Sequence, residues 1–125
     1  LLNRIVVIIK DFCGVINEEV IRKNFEREKF YKTLLELRKR NEALSANTSF
    51  RKILVGDEKA VYAYIREKGS KKVFVILNFS GVEQSVSIKE ASLLGKAYNV
   101  FEEKEVLLNA KERKIKPWGY EIYEY

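Results

Sequence analysis

The stretch Ala60-Val-Tyr-Ala-Tyr-Ile-Arg-Glu-Lys-Gly-Ser-Lys-Lys-Val-Phe-Val-Ile-Leu-Asn-Phe-Ser80 constrains the fold more than any other part of the chain. Two runs rich in β-branched and aromatic residues flank a short polar loop containing Gly69, which predicts a β-hairpin. In the first run Val61, Ala63 and Ile65 alternate with Tyr62, Tyr64 and Arg66. That alternation predicts one covered face and one wetter face. The second run, Val73 to Phe79, is apolar on both parities until Asn78, as expected of a central strand covered on both sides. The remaining strands are therefore expected to assemble outward from this one.

Upstream, the period is helical. Phe30, Leu34 and Leu37, joined by Tyr31 and Leu35, fall on one broad face, with Lys32, Glu36, Lys39 and Arg40 opposite. A helix is expected to end near Asn41, and Glu42 to Ser49 reads as a connection without period. Ile5 to Ile9 reads as a short buried strand, and Asn17 as the cap of a short helix. After residue 50 the period becomes two. Strands are expected over Phe50–Val55, in both arms of the hairpin, and over Val82–Ile88, Ala97–Phe101, Val106–Leu108 and Lys114–Tyr125. Pro117 has no N–H and is expected at an edge or a strand start. The fold class is mainly β: an antiparallel β-sandwich of about seven strands preceded by one or two helices.

Charge and composition exclude several chemistries. The chain has no His, which removes imidazole ligands, bases and triads, and its single Cys13 cannot form an internal disulfide. Of the net +6, most falls on residues 22–40, which hold eight basic and three acidic side chains. That reads as a solvated helix face with Glu28–Lys32 and Glu36–Arg40 pairs rather than a nucleic-acid stripe. No apolar run approaches the length of a membrane span, and the compartment, cytoplasmic or secreted, stays open. With no initiating Met and no signal peptide, the chain is expected to be cut from something longer.

Several phrases together resemble one known family. Phe30-Tyr-Lys-Thr-Leu-Leu-Glu-Leu-Arg-Lys-Arg-Asn-Glu-Ala-Leu44 is similar to the last helix of the catalytic barrel in alpha-amylase-family glycoside hydrolases. Val61-Tyr-Ala-Tyr-Ile-Arg66, Val73-Phe-Val-Ile-Leu-Asn-Phe-Ser80 and Lys116-Pro-Trp-Gly119 follow in the order of that family's C-terminal β-sandwich. The resemblance implies an N-terminal segment of unclear origin (1–24), a barrel-type helix (25–44) and a C-terminal β-sandwich domain (50–125). It implies a parent enzyme acting on α-glucosidic bonds through Asp and Glu motifs at barrel strand ends. None of those motifs is present here, so no catalytic residue is carried over.

A retaining glycosidase needs two carboxylates roughly 5 Å apart, one with a raised pKa. The acids here fall mostly in turns, at Asp57, Glu58, Glu67, Glu102, Glu103 and Glu112, so no catalytic pair, cofactor or metal is expected. Sugar stacking is the alternative chemistry, with Tyr62, Tyr64, Trp118 and Tyr120 as candidates; packing against the body of the protein competes with it. Asn78 is expected to satisfy its amide on neighbouring backbone. The expected role is a non-catalytic accessory domain that covers the barrel. A free-standing carbohydrate-binding module is the alternative, and a basic domain for nucleic acid or an acidic partner is the third reading. The helix face of Phe30, Leu34 and Leu37 is expected to pack on the sandwich, on the barrel, or on a second copy by self-association.

Overall fold

The computed structural model describes residues 28–45 and 48–125. The expectations for Ile5–Ile9, Cys13 and Asn17 lie outside these residues. Helix α1 (Glu28–Arg40) is followed by a 3-10 turn at Glu42–Leu44. Eight strands follow: β1 (Ser49–Ile53), β2 (Val61–Lys68), β3 (Lys71–Asn78), β4 (Gln84–Val86), β5 (Gly95–Asn99), β6 (Lys104–Leu108), β7 (Arg113–Ile115) and β8 (Tyr120–Glu124). Six form one antiparallel sheet in the order β1-β2-β3-β8-β5-β6, and β4 pairs with β7 as a separate ribbon.

β3 is central, as its double-sided apolar run demands. Every residue from Val73 to Asn78 is buried. On one face Tyr64, Val75, Leu77 and Ile122 meet Leu34 and Leu37 of α1 and Ala43 and Leu44 of the 3-10 turn. On the other, Ile65, Phe74 and Ile76 meet Val86 and Ile115 of the ribbon and Ile88 beyond it. The β2–β3 hairpin closes through Gly69 and Ser70 between the paired Lys68 and Lys71. Gly69 has φ +60, a conformation glycine adopts without steric cost at the first centre of a two-residue hairpin turn.

Four readings are corrected. The face of Tyr62, Tyr64 and Arg66 is not wet throughout: Tyr64 and Arg66 are buried, because α1 and the segment after it cover that side. Arg66 is held there by hydrogen bonds to Ser45 O (2.9 Å) and Thr48 Oγ1. The segment 42–49 is more than a connection, since Asn41 Oδ1 caps it at Ala43 N and buries Ala43 and Leu44. Arg40 reaches Glu124 across the interface instead of Glu36 along the helix. Finally, Pro117 marks a turn that splits the last segment into β7 and β8. Gly119 N donates to Lys116 O at 2.8 Å, and a Cβ at Gly119 would lie 2.8 Å from that oxygen.

Leu34 and Leu37 are buried within this chain, at 1% and 0% exposure. Neither needs a second copy to cover it, so self-association loses that argument.

Asn78 joins the two sheets, as its place at the end of an apolar strand suggested. Its Nδ2 donates to Val82 O (2.9 Å), Ile115 O (3.2 Å) and Lys116 O (2.9 Å). Its Oδ1 accepts from the backbone N and hydroxyl of Ser80. Asn78→Ala is expected to destabilise the chain by about 3 kcal/mol, since it strands buried carbonyls. Asn78→Asp is expected to cost at least as much, because a carboxylate cannot donate to them. Urea unfolding at neutral pH checks both; a variant within experimental error of the wild type would rule out this role.

Candidate functional site

The helix-side face of the sheet is built in rows that the register fixes. Arg66, Val73 and Glu124 form one row, Tyr64, Val75 and Ile122 the next, and Tyr62, Leu77 and Tyr120 a third. The first row is closed by polar contacts. Asn41 Nδ2 donates to Glu124 Oε2 at 3.0 Å and Arg40 pairs with Glu124 Oε1, which ties the end of α1 to β8. The second row is closed by the leucines of α1. At and beyond the third row the face ends in half-buried aromatics: Tyr62, Phe79, Phe101, Trp118 and Tyr120.

Two pairs of these rings are in contact, Tyr62 with Phe79 and Tyr120 with Phe101. Tyr62 lies 5.6 Å from Tyr64 and 6.5 Å, edge-on, from Phe79, and the Lys52 ammonium sits 5.5 Å above it. Tyr120 meets Phe101 edge-on at 5.0 Å. Trp118 stands in the turn at φ +55, a left-handed conformation that is costly for a bulky side chain. Its backbone N donates to Ser80 O, and its indole lies beside Gly81.

Of the four stacking candidates, Tyr62, Trp118 and Tyr120 therefore come together on one strip. Tyr64 does not present a face: it is fully buried and also packs on Phe50, 5.0 Å away. Leu34 and Leu37 line the same side of the sheet; the side chain of Phe30 lies outside the described residues. Among the described residues no group of three or more His, Cys, Asp or Glu side chains is placed to hold a metal.

The opposite face of β8 carries a polar cluster that no motif signalled. The hydroxyl of Tyr123 donates to Glu121 at 3.1 Å and accepts from Arg113 Nη1 at 2.9 Å. Burial pushes the Glu121 carboxyl above its ordinary value, opposed by the nearby Arg113 guanidinium. Burial raises the Tyr123 hydroxyl as well.

Comparison with known proteins places this geometry. Residues 61–119 match the family described as the alpha-amylase SusG C-terminal domain. Over these residues the chain is similar to an alpha-amylase C-terminal domain. The oligo-1,6-glucosidase of Parageobacillus thermoglucosidasius is 29% identical over 101 residues, covering 76% of this chain and 17% of its own length. The solved trehalose-6-phosphate hydrolase of Bacillus licheniformis is 26% identical, with a TM-score of 0.62 over 88% of this chain and 20% of the hydrolase. The trehalulose synthase MutB of Pseudomonas mesoacidophila MX-45 is 25% identical, with a TM-score of 0.60 over 77% of this chain and 17% of its own. The chain thus spans about a fifth of the length of these enzymes. The hairpin and the turn at Trp118 both lie inside the matched residues.

Glu121 gives a test of the electrostatics. A carboxyl whose folded pKa is raised binds its proton more tightly in the native state. Its contribution is therefore most favourable below the ordinary carboxylate range and is lost as pH rises through the raised folded value. Glu121→Gln cannot ionise, so its stability relative to wild type is expected to rise between about pH 4 and about pH 7. Urea unfolding at both values measures this, and an unchanged difference would place the carboxyl in water.

Proposed function

We propose that the chain is the non-catalytic C-terminal accessory domain of an alpha-amylase-like enzyme acting on α-glucans, and that its helix-side face packs on the catalytic barrel. The observation that carries this is the aromatic strip. Tyr62, Phe79, Trp118 and Tyr120 continue, past the cover that α1 provides, the same face on which α1 lies. Since α1 resembles the last helix of such a barrel, the rest of the barrel would extend from that helix over the strip. Half-buried aromatics whose faces and edges already engage one another suit a flat, dry contact.

The same packing weighs against the strip as a free-standing sugar platform. Tyr64 is closed, Lys52 lies over Tyr62, and Phe101 meets Tyr120. The nucleic-acid reading loses part of its charge, because Arg40 is neutralised by Glu124.

The coding sequence upstream of Leu1 is expected to specify a (β/α)8 barrel with Asp and Glu motifs at its strand ends; an upstream sequence of another kind would sink the reading. In the barrel-containing protein, Trp118→Gly removes a docking aromatic and relaxes the left-handed backbone. It is expected to lower the melting temperature by several degrees more there than in the 125-residue chain alone. Calorimetry of both pairs checks this, and equal losses would count against docking.

A further inference from the structure

A groove of about 430 Å3 lies between α1 and the β5–β6 end of the sheet, apart from the aromatic strip. Its volume lies within the range of small-molecule sites. Thr33, Glu36 and Arg40 form one wall, spaced three and four residues apart so that they fall on a single stripe of the helix. Tyr98 of β5 lines it with a half-buried ring, and Glu103 reaches it from the β5–β6 loop. Glu103 holds φ +54, a left-handed conformation that a glycine would adopt more easily.

We propose that this groove binds a short neutral α-glucan, such as maltose. A sugar presents an apolar ring face and a rim of hydroxyls that both donate and accept. The groove supplies a phenol ring for the face. The carboxylates of Glu36 and Glu103 accept from hydroxyls, and the Arg40 guanidinium donates to them. Arg40 is already balanced by Glu124, so the site does not call for an anion. Two further carboxylates, Glu36 and Glu103, disfavour a phosphorylated sugar. The polyol chemistry follows from these groups; the choice of an α-glucan rests on the accessory-domain reading above.

Titration of the 15N-labelled 125-residue chain with maltose tests the site. Saturable shifts are expected at Tyr98, Glu103 and Glu36, with a Kd on the order of 1 mM, and none on titration with glucose 6-phosphate. Tyr98→Ala is expected to abolish them. Because Tyr98 also packs on the core, Glu103→Gly provides the second arm. It relieves a left-handed backbone and is expected to unfold at or above the wild-type temperature while weakening maltose about tenfold. Shifts at Tyr62, Trp118 and Tyr120 instead, no saturable shift, or undiminished binding by Glu103→Gly would each overturn the proposal. Shifts on the strip would also count against barrel docking; the other outcomes leave docking to the Trp118→Gly comparison, which reads it separately.

Discussion

A strand with no wet face needs two covers, and that requirement organises this chain. β3 offers Val73, Val75 and Leu77 to one side and Phe74 and Ile76 to the other. Burying both sets removes far more apolar surface than a single sheet face could, but only if something lies on each side. The chain supplies a helix before the sheet for one cover and a ribbon, β4 with β7, for the other. Asn78 sits where β3 runs out, and its amide bonds the loop after β3 to the residues leaving β7. One polar side chain thereby fixes the second cover over the first sheet.

What was legible in the sequence follows from this. The hairpin, the central strand, the end of the helix near Asn41 and the structural use of Asn78 all rest on local period or local polarity, which a single sequence displays. The burial of Tyr64 and Arg66 was not legible. Their strand alternates as though half solvated, and only the return of α1 and the 3-10 turn over that face closes it. Likewise Lys114–Tyr125 looks like one apolar segment. Its division into β7 and β8 depends on a turn in which Trp118 takes a conformation that Trp rarely adopts.

The candidate site was legible in part for the same reason. Tyr62 comes from β2, Tyr120 from β8 and Trp118 from the turn just before β8, and the sequence named them as aromatics. Their meeting on one strip depends on β8 pairing with β3, whose partners lie from 43 (Leu77 and Tyr120) to 51 (Val73 and Glu124) positions apart in the chain. The groove at Tyr98 and Glu103 has no sequence phrase at all. Its walls belong to α1, β5 and a loop, and its one local sign, a non-glycine residue at positive φ, exists only in the folded backbone.

The two surfaces also differ in what water can do there. On the aromatic strip Tyr62 meets Phe79 and Tyr120 meets Phe101 edge to face, so much of the surface is apolar ring. Covering such a surface with another apolar one gains transfer free energy and strands little. Around the groove, Glu36 and Glu103 would be left charged and desolvated under a dry partner, at a cost that hydrogen bonds from sugar hydroxyls can offset and an apolar surface cannot. The strip therefore suits a permanent cover and the groove an exchangeable polar ligand. Both border α1.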